Sequence, residues 1–204
     1  GYISMSLEDI DKENHVYGYL EKTMKAVNLS QQTIKKLLAF SRKNDLILDK
    51  ISLKQLLNDS IDILEGSKPR NVKLVGPKIE NDIYILADKN QITQVIINIC
   101  TNAFYAIADT NGTVEISLEK NMKLKEFENK PMLCLKISDN GIGMDENTRS
   151  RVFEPFFTTK EVGKGTGLGL SVVTGIIKQH NGKIEVESLF GKGTVFSVYL
   201  PYIT

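Results

Sequence analysis

Gln94, Asn98 and Asn102 recur at every fourth position of a stretch, residues 90–108, that carries no formal charge. That spacing puts the three amides on one helix face, with Val95, Ile96, Ile99, Ala103, Phe104 and Ile107 making the apolar side. A solvated stripe in a chain that is 25% charged would contain Lys and Glu. Neutral amides suit a place where a side-chain oxygen helps coordinate a hard cation, such as Mg²⁺, that also holds phosphate oxygens. A second group, Asp139-Asn140-Gly141-Ile142-Gly143, directly follows the apolar run Leu133 to Ile137. A carboxylate at a strand end before two closely spaced glycines lets the backbone turn sharply and approach a flat ligand, although Asp-Asn-Gly is also ordinary turn chemistry. The third group is Gly163-Lys164-Gly165-Thr166-Gly167-Leu168-Gly169, alternate glycines that run into a helical pattern. Such a loop opens N–H groups toward an anion, and the helix behind it adds a positive dipole end. It is neither GxxxxGK[ST] nor a Rossmann fingerprint, and a plain glycine hinge is the competing reading. Between the second and third groups, the segment from Arg151 to Lys160 holds three aromatics and a Pro. It reads as a lid pinned by Phe153 and Phe156 and free at its other end.

The elements that must position these groups follow from periodicity. From Val16 to Lys43, Leu20, Met24, Val27, Ile34 and Leu38 form a heptad-like seam, with Gln31 at the skipped place, on one long helix that needs a partner. The pattern changes near residue 50. Leu53 to Leu64 reads as a helix capped by Ser52, and 90–108 and Gly169 to Gln179 read as two more, the last stopped at Asn181-Gly182. Val72 to Val75, Ile83 to Ala87, Thr113 to Leu118, Met132 to Ile137, Lys183 to Ser188 and Thr194 to Leu200 read as strands. Strands and helices in this order give helices on one face of a mixed sheet, an α/β (α+β) two-layer sandwich.

Composition excludes other classes. The net charge is +1, 41% of residues are hydrophobic and the two cysteines, Cys100 and Cys134, have no CxxC or Cys/His spacing. A disordered tail, a dedicated nucleic-acid clamp, a disulfide scaffold and a zinc site are all disfavoured. No apolar run is long enough for a spanning helix, so no membrane contact by this chain is expected. A reducing, cytoplasmic location fits, with the parent protein free to be membrane-anchored.

In this order, Asn98-Ile-Cys-Thr-Asn102-Ala103, Asp139-Asn-Gly141-Ile-Gly143, Phe153-Glu-Pro-Phe-Phe-Thr-Thr-Lys160 and Gly163-Lys-Gly-Thr-Gly-Leu-Gly-Leu-Ser171 closely resemble the N, G1, F and G2 boxes of two-component sensor histidine kinases. The ending Gly191-Lys-Gly-Thr194-Val-Phe-Ser-Val-Tyr-Leu-Pro201 looks like the last hairpin of their catalytic domain. The resemblance implies the Bergerat ATP-binding fold over residues 50–204, preceded in residues 1–49 by part of a dimerisation and histidine-phosphotransfer hairpin.

By that resemblance Asp139 accepts a hydrogen bond from the adenine amino group, with Thr194 nearby through water, and Gly141 and Gly143 admit the base. Asn102 coordinates Mg²⁺ and Asn98 supports the phosphate side. Lys160 with Gly163, Lys164, Gly165, Thr166, Gly167, Leu168 and Gly169 holds the triphosphate of ATP. Asn98 stands where related ATPases carry a Glu, and an amide cannot serve as a base, so wasteful hydrolysis should be slow. The implied activity is transfer of the γ-phosphoryl group to a histidine of the helical hairpin, for relay to a response-regulator aspartate, in a homodimeric full-length protein. The family's phosphoacceptor His precedes an acidic residue. His15 is followed by Val16-Tyr17-Gly18 and His180 sits at a helix end, so neither matches, and the acceptor is expected upstream. An anti-sigma-type serine kinase and a non-enzymatic nucleotide-binding module are the rival readings.

Overall fold

A computed structural model describes residues 1–24, 26–27, 46–107, 110–123, 127, 131–161 and 165–203, with backbone alone at 121 and 123. The chain divides into two compact units, Gly1–Asn44 with Lys160–Thr166, and Asp45–Thr159 with Gly167–Thr204.

In the first unit, α1 (Tyr2–Asp9) ends at an extended Ile10, and residues 15–24 and 26–27 are again helical. Asn14 opens this second stretch by accepting the Val16 N–H at 3.0 Å, as a helix cap should. The seam positions from residue 28 to Leu38 lie outside the described residues.

The second unit carries a five-stranded sheet built from β2 (Val72–Val75), β4 (Gly112–Lys123), β5 (Pro131–Asp139), β6 (Lys183–Leu189) and β7 (Gly193–Pro201). Their order is β2-β4-β5-β7-β6. β2 runs parallel to β4 and every other neighbouring pair is antiparallel, which makes the sheet mixed. β1 (Asp49–Ser52) and β3 (Tyr84–Ala87) form a separate antiparallel ribbon, which the chain end joins through the Ile203 N–H to the Tyr84 carbonyl at 2.8 Å.

Helices α2 (Leu53–Ser67), α3 (Lys89–Ile107) and α5 (Gly169–Gln179) bury their apolar sides against one face of the sheet; a short α4 (Glu146–Arg151) follows β5. Ser52 caps α2 as the sequence predicts: its Oγ accepts the Gln55 N–H at 3.1 Å and donates to Asp82 at 2.6 Å. That bond, more than burial opposes it, draws the Asp82 carboxyl below its usual range. The strands alternate as period two requires. Leu133, Leu135 and Ile137 of β5 and Phe196, Val198 and Leu200 of β7 join Leu56, Leu57, Ile92, Ile96, Ile99 and Val173 in one core. On the opposite face, Met132, Cys134 and Tyr199 make a smaller cluster with Met122 and Phe127. Both cysteines are free and buried, and burial pushes the Cys100 thiol up to about 12, so it behaves as a small apolar side chain.

Among the described residues no helix is long and apolar enough to cross a membrane. The two-layer α/β reading matches the observed layers.

Candidate nucleotide site

β5 carries Leu133, Leu135 and Ile137 into the helix layer, and the same alternation brings Asp139, its last residue, to that face. Across the sheet Asp139 pairs with Thr194 of β7. Its carboxylate accepts the Gly141 N–H at 2.9 Å and the Thr194 backbone N–H. Burial pushes its pKa above the usual carboxylate range, and these two bonds pull the other way. Asn140 continues the strand pairing with its side chain, whose Oδ1 accepts the Thr113 N–H at 2.7 Å.

The two glycines after it let protein backbone come close. A Cβ on Gly141 would lie 2.6 Å from the carbonyl of Ala106 in α3, and the Ile142 N–H donates to that same carbonyl at 3.0 Å. Gly143 has φ +64°, and a Cβ there would lie 2.1 Å from the Leu189 carbonyl oxygen. The turn after Asp139 is therefore wedged between the C-terminal end of α3 and the β6–β7 hairpin. This packing role is a physical reason for glycine at both positions that does not depend on a ligand.

Asn98, Asn102 and Ala106 follow one another at i, i+4 and i+8, so the amide row of α3 leads straight to the backbone that holds the Asp139 turn. Asn98 and Asn102 are half-buried, whereas Gln94 is exposed. At the other end of the row, Asn98 Nδ2 donates to the Gly169 carbonyl at 3.4 Å. Gly169 begins α5, whose N-cap is Leu168, and no side chain caps that first turn. Ser171, a residue type that often caps, instead donates back to the Leu168 carbonyl at 3.0 Å. Among the described residues no side chain takes the first N–H groups of α5, and the positive end of the helix dipole lies there. From Asn98 to Ala106 the row spans about 12 Å of helix. One helix face connects a carboxylate at one end with a helix N-terminus at the other.

The lid segment departs from expectation at one residue. Phe153 does anchor it, meeting the Phe196 ring edge-on at 6.3 Å. Phe156 does not: it is 62% exposed. Its backbone adopts φ +66°, and its N–H donates to the Gly167 carbonyl at 2.9 Å. The left-handed turn holds the main chain and leaves the ring outside, which composition cannot foretell.

The structure brings together Asp139, Gly141, Gly143, Thr194, Asn98, Asn102, Gly167, Leu168 and Gly169 within the second unit. Lys160, Gly165 and Thr166 belong to the other unit, and Gly163 and Lys164 lie outside the described residues. His180, 4% exposed, caps the end of α5 and joins two backbones: Nε2 accepts the Asp88 N–H at 3.0 Å and Nδ1 meets the Ile176 carbonyl at 2.8 Å. Because a backbone N–H only donates and a carbonyl only accepts, the ring is the neutral Nδ1–H tautomer. One residue near the site escaped the sequence reading. Ser188 bonds Thr194 Oγ1 at 2.9 Å and accepts the Met144 N–H at 2.8 Å. The available signal was a hydroxyl following Ile184 and Val186 on the apolar side of β6.

A sheet with helices on one face and a carboxylate at the end of a central strand, beside an amide-bearing helix and an uncapped helix start, defines a nucleotide-binding α/β sandwich. The chain belongs to the family of histidine kinase-, DNA gyrase B- and HSP90-like ATPases, whose model matches residues 87–204. It is similar to the sensor kinase CckA of Brucella abortus, 37% identical over 187 residues that cover 85% of this chain and 19% of that protein. The catalytic domain of the histidine kinase ThkA aligns over 76% of this chain and 95% of its own, with 29% identity and a TM-score of 0.63. ThkA in complex with the response regulator TrrA aligns over 100% of this chain and 56% of its own, with a TM-score of 0.72 and 24% identity. The chain therefore spans less than a fifth of the CckA sequence.

Proposed function

We propose that this chain is the catalytic, ATP-binding portion of a cytoplasmic sensor histidine kinase that acts as a homodimer in its full-length form. The observation that carries the reading is the continuous α3 face from Asn98 to Ala106. It joins the Asp139 turn to the start of α5, so one ligand with a base at one end and phosphates at the other satisfies both.

Asp139 accepts from the adenine amino group, a charge-assisted bond in a half-buried place. Asn98 and the first N–H groups of α5 face the phosphates. Lys160 and residues 163–166 keep their assignment to the triphosphate in this reading from the sequence alone. Among the described residues there is no group of three or more His, Cys, Asp or Glu side chains that could hold a metal. A Mg²⁺ ion fits this donor set in one way: the amide oxygen of Asn102 supplies one ligand, and phosphates and water supply the rest. When bound, the ion neutralises charge on the phosphates. The protein's own contribution is positioning, which is most of what phosphoryl transfer requires.

In the proposed reaction the lone-pair nitrogen of a neutral imidazole forms a P–N bond as the bond between the γ-phosphorus and the β–γ bridging oxygen breaks, ADP leaves, and the ring releases its other N–H proton to water. The imidazole belongs to a histidine-bearing helical hairpin of the full-length kinase. A response-regulator receiver domain then takes the phosphoryl group on an aspartate, consistent with the complex solved for ThkA.

The test mixes this chain with labelled ATP, Mg²⁺ and a separately prepared hairpin whose histidine precedes an acidic residue. Acid-labile, base-stable label on that histidine is the expected result. Label on serine assigns the chain to the serine kinases. Nucleotide binding with no transfer reduces it to a binding module.

A further inference from the structure

The end of the sheet carries a cross-strand row on the helix-facing side. Asp139 of β5 pairs with Thr194 of β7, and Thr194 pairs with Ser188 of β6. A serine hydroxyl has one hydrogen to give and two lone pairs to receive. Ser188 Oγ has three neighbours: the Met144 N–H at 2.8 Å, the Gly193 carbonyl at 3.0 Å and Thr194 Oγ1 at 2.9 Å.

The Met144 N–H can only donate, and the Gly193 carbonyl can only accept. If the Ser188 hydrogen goes to Gly193, its two lone pairs take Met144 and Thr194, and all four groups are satisfied. The opposite choice, Ser188 donating to Thr194, leaves the Gly193 carbonyl without that bond. Gly193 is buried, where a lost hydrogen bond costs most. The Thr194 hydrogen is thus committed to Ser188, and only its lone pairs remain for anything that reaches it.

We propose that Ser188 is a specificity-determining residue: by taking the Thr194 hydrogen it makes the Asp139–Thr194 end of the site an acceptor-only surface, which admits a purine edge bearing an amino donor and rejects one bearing a carbonyl. This inference rests on the reading that Asp139 meets the base. A 6-aminopurine brings hydrogens to the carboxylate and to Thr194, directly or through a water. A 6-oxopurine brings an acceptor against acceptors, and sites built for one hydrogen-bond polarity discriminate strongly against the other. Without Ser188 Oγ, the Thr194 hydroxyl is free to rotate and donate to that carbonyl. Ser188 touches no base itself and acts through Thr194.

The experiment is equilibrium binding of ATP and of inosine triphosphate, which differ at this edge, to the wild type, Ser188→Ala, Ser188→Thr, Thr194→Val and the double variant. Ser188→Ala should narrow the ATP-to-ITP affinity ratio by about three- to tenfold, the worth of one hydrogen bond, and Ser188→Thr, which keeps the hydroxyl, should not. In the Thr194→Val background, Ser188→Ala should leave the ratio unchanged, since the group it acts through is gone. Equal weakening of both nucleotides by Ser188→Ala, or the same narrowing without the Thr194 hydroxyl, overturns the inference. If Ser188→Ala does not fold, Ser188→Cys, whose thiol is a weak donor and acceptor, should narrow the ratio in the same sense, and an unchanged ratio there also overturns it. A wild type that binds neither nucleotide overturns the functional reading instead.

Discussion

The backbone N–H of Asp88 donates to His180 Nε2 at 3.0 Å, which ties the residue before α3 to the last turn of α5. At the other end of α5, Asn98 holds the Gly169 carbonyl. Two bonds therefore fix α5 antiparallel to the first half of α3, and the site at its start inherits that rigidity. His180→Ala leaves the Asp88 N–H without its partner and removes the ring N–H from the Ile176 carbonyl, which keeps the backbone N–H of residue 180 at 3.1 Å. It should destabilise the fold by about 1–3 kcal/mol while nucleotide affinity stays within about twofold, because the histidine lies at the far end of α5. Urea denaturation and calorimetric titration check the two halves separately.

Asp139→Asn should weaken ATP binding by roughly ten- to hundredfold, the worth of a charge-assisted hydrogen bond. The amide can still accept the Gly141 or Thr194 N–H, so the variant should fold. Equal affinity of variant and wild type would detach Asp139 from the base.

The same carboxyl has a pH signature. Burial raises its pKa in the folded state, so between its unfolded and folded values the native protein holds more protons. The stability it contributes is greatest in acid and declines as pH rises through that window, then levels off. The stability of wild type minus that of Asp139→Asn should accordingly fall from about pH 4 upward. Thermal melts across pH follow this difference, and a difference that climbs with pH would contradict the burial.

Asn102→Ala should remove the Mg²⁺ dependence of nucleotide binding and leave metal-free binding nearly intact. Asn98→Ala should weaken binding with and without metal, since Asn98 also holds the start of α5. Calorimetry with and without Mg²⁺ separates the two amides.

Two glycines should respond oppositely to alanine. At Gly143, φ +64° and a Cβ position 2.1 Å from the Leu189 carbonyl oxygen leave no room. The variant should lose at least about 1–2 kcal/mol from the left-handed backbone alone, together with nucleotide affinity. Gly175 lies inside α5 with nothing within 4 Å of its Cβ position, so alanine there should add about 0.5–1 kcal/mol. Chemical denaturation midpoints decide both.

Local chemistry was readable where the sequence writes it locally. Gly169 and the Asn181-Gly182 stop bound α5 as expected, and Ser52 caps α2. The helix read as 90–108 begins at Lys89, because Asp88 Oδ1 receives the Asn90 and Gln91 N–H groups. β1 was missed, since Asp49–Ser52 has no alternation and is a strand only because β3 lies beside it. α4 was missed although Asp145 caps it through the Thr148 N–H at 2.7 Å, because six polar residues carry no periodic signal. β4 continues to Lys123, past the expected Leu118, where β5 keeps pairing with it across a register shift. In the site, Asp139 and the amide row stood out by type and spacing. The Asp88–His180 and Ser188–Thr194 bonds join residues whose meeting depends on the finished fold, and no local pattern announces them.

The wedged turn after Asp139 has a consequence for how its positions can vary. Gly141 and Gly143 sit against the Ala106 backbone and the Leu189 carbonyl with no space for a side chain, while Ile142 between them is 58% exposed. Diversification of this recognition element is therefore channelled to the outward-facing position.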